Sequence, residues 1–295
     1  MSDLKGINLA MQTPFNDDGS IDYSRWQELI DSYIDAGVHG LVLGAGTGQH
    51  PYLTQAECNK LYELGAARVN GRCNLIMQTS ALIVDEVIER SKHAQGLGAD
   101  ALMILPPYLE GPEDDDGLFE FYRTIDAALD SSKDTDIIGY NIPQTTGIAI
   151  SVDLFKRLNQ LTHFNYIKDS AGDLATHQAY LQTGYKVLNG ADPTTVFAMI
   201  AGATGTIWGG ANYMPKQCVA LYELVSSGDI AGAMSLWNKM IPSLLYIWEG
   251  NYIPKVKVAC RLRGFDGGSV RAPLRPIGPH EEAELGRCLA LLDEL

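Results

Sequence analysis

Disulfide chemistry has little to work with in this 295-residue chain. The five cysteines (Cys58, Cys73, Cys218, Cys260 and Cys288) are odd in number, scattered, and never in CxxC spacing. That excludes a disulfide framework and a zinc ribbon and points to reduced thiols. The six histidines form neither an HExxH nor an HxH pattern, so a histidine-built metal centre lacks its ligands. Positive charge is scarce as well: 22 Lys and Arg stand against 36 Asp and Glu, a formal charge of −14. Such a field disfavours nucleic acid and anionic membrane as partners. No apolar run is long enough to span a bilayer. The start, Met1-Ser2-Asp3-Leu4-Lys5-Gly6, has no basic segment leading into an apolar one, so no secretory leader is expected and a cytoplasmic location is. The acidity is densest at Glu113-Asp114-Asp115-Asp116 and reads as solvated surface.

What the chain does have is apolar residues, 46% of the total, enough for a large core. They come in alternating short runs and helical stripes. A strand is expected over Gly6–Phe15 (Ile7, Leu9, Met11), broken at Thr13-Pro14. A helix follows over Asp22–Ala36, with Trp26, Leu29, Ile30 and Tyr33 at helical spacing and Gly37 as its stop. Gly40–Leu43 is the next strand, and Thr54–Val69 the next helix, with Leu61, Leu64 and Ala67 inward. The unit recurs at Leu75–Met77 and Val84–Gln95, at Ala101–Leu105 and Leu118–Leu129, and at Asp136–Ile142 and Val152–Leu161. It recurs again at Tyr166–Lys168 and Ala175–Thr183, at Lys186–Leu188 and Pro193–Ile200, and at Gly205–Trp208 and Pro215–Val225. Eight strand–helix units with short turns predict an α/β fold, a (β/α)8 TIM barrel, rather than an open doubly wound sheet. Three more helices, Ala231–Ile247, Pro254–Arg263 and His280–Leu292, follow without strands. The expected organisation is a barrel over 1–227 carrying the site, and a C-terminal three-helix extension over 228–295 packed on the barrel's side or on a neighbouring subunit.

In such barrels chemistry sits where strands end. One strand end carries Tyr166-Ile167-Lys168-Asp169-Ser170, and the strand before it ends in Tyr140-Asn141-Ile142-Pro143. Lys168 admits three readings: a solvated strand end, an ion pair with Asp169 or Asp173, or an amine kept neutral to attack a carbonyl. An ordinary lysine has only ~0.04% neutral amine at pH 7, and desolvation can raise that fraction greatly. A phenol on the neighbouring strand favours the third reading, because a Schiff-base enzyme needs an amine nucleophile and a proton carrier on one bound molecule. The Gly44-Ala45-Gly46-Thr47-Gly48 loop lacks the Lys-Ser/Thr of a P-loop and the later acid of a dinucleotide site. It is either a tight turn or a carboxylate nest, in which backbone N–H groups and the Thr47 hydroxyl hold an α-keto acid. His50 reads as a loop residue.

These pieces, in this order, resemble the N-acetylneuraminate lyase / dihydrodipicolinate synthase family of class I aldolases and dehydratases. The resemblance runs along nearly the whole chain. It is carried by Gly46-Thr47-Gly48, Leu105-Pro106-Pro107-Tyr108, Tyr140-Asn141-Ile142-Pro143 with Thr146-Gly147, Ile167-Lys168-Asp169-Ser170, Asn189-Gly190-Ala191-Asp192 and Gly268–Leu274. It implies Lys168 as the Schiff-base lysine, Tyr140 as the acid/base phenol and Thr47 as a carboxylate ligand. It further implies a homotetramer built as a dimer of dimers, with neither metal nor organic cofactor. Gly46, Gly48, Tyr108, Thr145, Ser170, Gly190, Asp192, Ile207 and Gly209 are the expected substrate-binding set.

Departures from the family pattern narrow the substrate. Gly46 replaces the first of two adjacent hydroxyl residues, and Gln49 replaces a glutamate. Leu109 stands where dihydrodipicolinate synthases carry a second tyrosine, and Thr145 where they carry an arginine. The similarity then points to the branch acting on sugar-derived acids, where Asp192 matches a position that holds sugar hydroxyls. The expectation is therefore a Schiff-base lyase with an α-keto acid as its small-molecule partner. It would cleave or condense a 2-keto-3-deoxy sugar acid, with pyruvate as the keto product. Dehydration of such an acid, of the deoxy-keto-glucarate type, is the alternative. Dihydrodipicolinate synthesis and a non-catalytic binding barrel fit less well.

Overall fold

Alternation within each strand decides which side of the sheet a residue serves. In β2 (Gly40–Leu43), Leu41 and Leu43 join the layer under the helices, while Val42 points into the barrel. In β6 (Phe164–Asp169), Ile167 faces the helices while Tyr166 faces the barrel interior, which places Lys168 inside as well. The computed structural model describes residues 3–112 and 114–294; Met1, Ser2 and Glu113, on which the leader and acidic-run readings partly rest, lie outside them.

Eight parallel strands close on themselves in sequence order. With the two just given they are β1 (Gly6–Ala10), β3 (Asn74–Gln78), β4 (Ala101–Ile104), β5 (Asp136–Asn141), β7 (Lys186–Asn189) and β8 (Gly205–Trp208). Closure is made by β1 and β8, with Asn8 opposite Ile207 and Leu9 opposite Trp208. The outer ring contains α1 (Tyr23–Asp35), α2 (Gln55–Val69), α3 (Val84–Gly96), α4 (Asp115–Ala128), the single turn α5 (Pro143–Thr146), α6 (Val152–Leu158), α7 (Leu174–Leu181), α8 (Thr195–Ile200) and α9 (Pro215–Ser226). The extension is α10 (Ile230–Trp248), α11 (Tyr252–Leu262) and α12 (Pro279–Ala290). The fold is a (β/α)8 TIM barrel with a C-terminal helical extension.

Local chemistry sets the helix starts. Asp22, Asp114, Ser151, Asp173 and Asp229 each accept a first-turn backbone N–H, and Thr54 with Glu57 forms a reciprocal capping box. The helical stripe Trp26, Leu29, Ile30, Tyr33 is fully buried against the sheet. Each of those side chains contributes roughly 1.5–3 kcal/mol by leaving water.

Two local expectations are corrected. The first strand stops at Ala10, because Met11–Phe15 leaves the sheet as a loop in which Phe15 bridges Ile21 and Gly268. In α2 the inward stripe is Cys58, Leu61, Tyr62, Gly65 and Val69, so Ala67 is turned to solvent and Leu64 is only half-buried. A third detail adds to the expectation of an extension packed on the barrel, which these contacts match. While α10 packs on α9, α11 reaches the Gly46–Gly48 turn at the barrel mouth.

Candidate active site

The barrel interior is plugged from below. Leu4 and Tyr166 are fully buried there, and the Tyr166 hydroxyl accepts from Leu4 N at 3.4 Å and from Lys186 Nζ at 3.0 Å. One layer higher, small residues leave room. Ala10 and Gly190 line a cavity of about 540 Å3 that opens at the C-terminal ends of the strands.

Parallel register places the two central groups side by side: Tyr140 of β5 pairs with Lys168 of β6, and Asn141 with Asp169. Both Lys168 and Tyr140 line the cavity while nearly enclosed, at 5% and 9% exposure. Lys168 Nζ lies 3.8 Å from the centre of the Tyr140 ring, so it is not a solvated strand end. The ion-pair reading also finds no support among the described residues. Asp169 points behind the sheet, where its carboxylate meets His177 Nδ1 at 2.9 Å and Asn141 Nδ2 at 3.0 Å. Asp173 caps α7 through the Ala175 amide.

Glycine makes the lysine's channel. A methyl group on Gly190 would collide with Lys168 Cε and with Ser170 Oγ, so only a residue without Cβ lets that side chain pass. Ser170 Oγ is buried, faces the cavity and has no partner among the described residues. An unpartnered buried hydroxyl costs free energy unless a bound molecule satisfies it.

Across the cavity the Gly46–Gly48 turn brings Thr47 to the wall. Its Gly48, Gln49 and His50 amides are engaged by the carbonyls of Ala45 and Gly46. The Gly46 and Thr47 N–H groups precede the first bonds of this turn and so have no partner inside it. Thr145 of α5 and Ile207 of β8 complete the expected wall. Gly209 also lines it, and a methyl there would strike the Tyr252 hydroxyl and crowd Thr47 Oγ1.

Asp192, at the end of β7, is enclosed with 2% exposure, and its Oδ2 accepts from the Tyr252 hydroxyl at 2.8 Å. Burial raises its carboxyl to about 7, opposed by the Tyr252 bond and by the positive influence of Lys168.

Two expected residues are not brought to the wall. Gly48 is packed against the Met11 carbonyl and Thr13 Oγ1, 2.7 and 2.8 Å from where its Cβ would be, so its missing side chain serves backbone packing. Tyr108 sits half-buried in the loop after β4; burial pushes its phenol up, with Arg90 opposing and Glu86 adding. Neither lines the cavity. His50 is structural: burial lowers it to about 4, and its neutral ring donates Nε2–H to the Ser80 carbonyl at 2.8 Å. Gln49 clasps the Arg271 backbone with both ends of its amide, each bond 2.9 Å. Arg271 in turn makes a two-pronged pair with Glu57, which holds that carboxyl down at about 2. This clasp keeps the segment bearing Leu274 at the cavity wall.

Sequence reasoning missed Gln78, Gln144, Trp248, Tyr252, Ile253 and Leu274, which also line the cavity. The last four lie in or beyond the extension, where no strand end marks them. The available signals were the aromatic-rich turn Trp248-Glu249-Gly250-Asn251-Tyr252 between two helices and, for Leu274, the Gly268–Leu274 stretch that carries the resemblance. Among the described residues no group of three or more His, Cys, Asp or Glu is placed to hold a metal, and no helix is long and apolar enough to cross a membrane.

Comparison with known proteins agrees with this architecture. The model of the dihydrodipicolinate synthetase family matches residues 3–291. A 4-hydroxy-tetrahydrodipicolinate synthase of Methanothrix thermoacetophila is 30% identical over 300 residues, covering 99% of this chain and 98% of that protein. One from Gluconacetobacter diazotrophicus is 31% identical, covering 93% and 92%. Among solved structures, dihydrodipicolinate synthase from Aquifex aeolicus superposes with a TM-score of 0.90 at 29% identity, covering 98% of each chain. The chloride-inhibited enzyme from Acinetobacter baumannii, complexed with pyruvate, gives 0.92 at 27% and covers 100% of both. The chain belongs to the dihydrodipicolinate synthetase family and is an enzyme of its class I, lysine Schiff-base type.

Proposed function

We propose that this enzyme cleaves or condenses a 2-keto-3-deoxy sugar acid through an imine on Lys168, with pyruvate as the keto product. The observation that carries it is one cavity holding the Lys168 amine against Tyr140 on one side and the Thr47 turn on the other. The Thr47 hydroxyl and the adjacent amides hold the substrate carboxylate, which sets the keto carbon in line with the amine. Lys168 Nζ adds to C2, and Tyr140 carries the protons that let water leave. The resulting iminium is an electron sink. As the C3–C4 bond breaks, its electron pair becomes the C2=C3 bond of an enamine and an aldehyde departs. Protonation at C3 and hydrolysis then release pyruvate. Ser170, Thr145, Gly190, Ile207, Gly209 and Asp192 shape the pocket for the hydroxylated remainder; Asp192 and the unpartnered Ser170 hydroxyl support a polyhydroxy substrate.

A second reading, 4-hydroxy-tetrahydrodipicolinate synthesis, is favoured by the names of the relatives. Against it stand Leu109, 77% exposed in the loop after β4, and Thr145 at the wall, where the resemblance calls for a tyrosine and an arginine. Dehydration shares the same imine and differs only in which bond breaks next. We retain the homotetramer as part of the proposal, to be measured by sedimentation.

Borohydride reduction under saturating pyruvate should attach the keto acid to the Lys168 peptide. An unmodified Lys168 would overturn the Schiff-base reading. A panel of 2-keto-3-deoxy acids, read separately for pyruvate, for semialdehyde and for 4-hydroxy-tetrahydrodipicolinate from its own substrates, then decides among the three reactions.

A further inference from the structure

The turn between α10 and α11 sets an aromatic pair at the cavity mouth. Asn251 takes a left-handed conformation there, with φ at 52°, and Trp248 packs edge-on against Tyr252, their ring centres 6.4 Å apart. Helix α11 begins with Tyr252 and packs on the Gly46–Gly48 turn. The Tyr252 hydroxyl and Thr47 Oγ1 both border the point where a Gly209 side chain would start, Thr47 Oγ1 at 3.0 Å from it. Without a Cβ at 209 the two hydroxyls come together over bare backbone at the cavity wall. The phenol also donates to Asp192 Oδ2 at 2.8 Å. It therefore stands between an enclosed carboxylate and the threonine of the turn.

A keto acid joined to Lys168 at C2 carries its carboxylate on the adjacent carbon, at the Thr47 turn. We propose that the Tyr252 hydroxyl is a further donor to that carboxylate, so that the extension completes the anion site of the barrel. The inference rests on the Schiff-base reading with Thr47 as the carboxylate's anchor, and it holds alike for all three reactions weighed above. Tyr140 keeps its place as the acid/base phenol at the imine. The turn presents a single hydroxyl, because Gly46 has no side chain, and a net charge of −14 opposes an entering anion. A phenol donating to an enclosed carboxylate makes a charge-assisted bond. The phenol has one proton, which must then turn away from Asp192. Two carboxylates sharing one phenol repel each other, and the arrangement of lower energy has Asp192 neutral, its own O–H donating to the phenol oxygen. Burial already raises that carboxyl to about 7. The titratable groups facing the pair are Lys168 from β6, Tyr140 from β5, Tyr213 from the segment after β8 and Cys218 from α9, and Lys168 is the one basic group among them. Binding of the keto acid above about pH 7 is therefore accompanied by proton uptake, and pyruvate affinity falls as Asp192 ionises.

The test uses the full-length enzyme, Tyr252→Phe and Asp192→Asn. Borohydride trapping on Lys168 is measured against concentration for pyruvate and for pyruvamide, its uncharged amide. In Tyr252→Phe the half-saturating pyruvate concentration should rise roughly 10- to 100-fold, the loss of one charge-assisted bond, while that of pyruvamide moves by less than about threefold. Retained pyruvamide trapping also reports that the variant is folded. A phenol that only braces the turn would shift both ligands alike, and that result overturns the assignment, as does an unchanged pyruvate value. In wild type the half-saturating pyruvate concentration should rise up to about tenfold from pH 6 to pH 8, and Asp192→Asn, whose amide stays neutral, should flatten the rise. An equal rise in Asp192→Asn overturns the coupling through that carboxyl. Wild type that traps neither ligand overturns the Schiff-base reading itself, and this inference with it.

Discussion

Two of the enclosed lysines in this protein differ in what surrounds them. Lys257 of α11, 3% exposed, donates to the carbonyls of Thr13 and Gly267, at 2.5 and 2.8 Å. Burial lowers its amine to about 8. Lys168, 5% exposed, rests on a phenol face beside an open cavity and an unpartnered serine hydroxyl. On the proposed mechanism, enclosure alone does not make a nucleophile. What separates the two is the set of neighbours: carbonyls that occupy the amine's hydrogens in one case, an accessible space beside a phenol in the other.

The sharpest way to break this comparison is to remove each amine in turn. Lys168→Met should abolish pyruvate trapping and lower turnover by at least about 10³-fold, with the melting temperature nearly unchanged. Lys257→Met should leave trapping at Lys168 intact. It should cost about 1–3 kcal/mol in urea unfolding, because two buried carbonyls lose their donor. If Lys257→Met instead abolished trapping, the distinction would collapse.

A smaller effect comes from crowding the channel. Gly190→Ala forces Lys168 Cε and Ser170 Oγ aside, and we expect roughly a 10- to 100-fold loss in kcat from misplacing the amine by about an ångström. Stopped-flow measurement of imine formation reads this directly. An unchanged rate would mean that the lysine's path tolerates the methyl.

The smallest effect is in pH. The folded amine of Lys257 titrates near 8, against an ordinary 10.5, so the unfolded chain binds more protons between those values. Stability contributed at this site is therefore lower below about pH 8 and recovers as pH rises toward 10.5, by at most about 1.4 kcal/mol per pH unit. The difference in unfolding free energy between wild type and Lys257→Met should shift in that direction between pH 8 and 9.5. A flat difference would show that Lys257 does not titrate there.

The same contrast explains what was legible in the chain. Lys168 and Tyr140 could be found because each ends an apolar strand, and strand periodicity with parallel pairing fixes which face they share. Thr47 could be singled out because a glycine-rich loop following a strand is either a tight turn or an anion nest, and the family resemblance favours the second. Tyr252 could not: it starts a helix 84 positions beyond Lys168, and only the path of α10 across the barrel brings it to the mouth. Gly48 and Tyr108 show the converse error. Both sit in segments typical of the site, yet whether a side chain faces a cavity depends on a loop's turn, which local composition does not encode. The one-turn helix Pro143–Thr146 was hidden for a related reason, being too short for any periodic stripe.

Glu57 does two jobs at once, closing the first turn of α2 and gripping Arg271. The roof over the cavity is thus tied to a helix near the opposite end of the polypeptide. During synthesis, then, a nascent chain released before Arg271 and Leu274 emerge would have all eight strands, Lys168 and Tyr140 yet an unroofed pocket. Catalytic competence should appear late and abruptly, only once the final tenth of the polypeptide has clipped home.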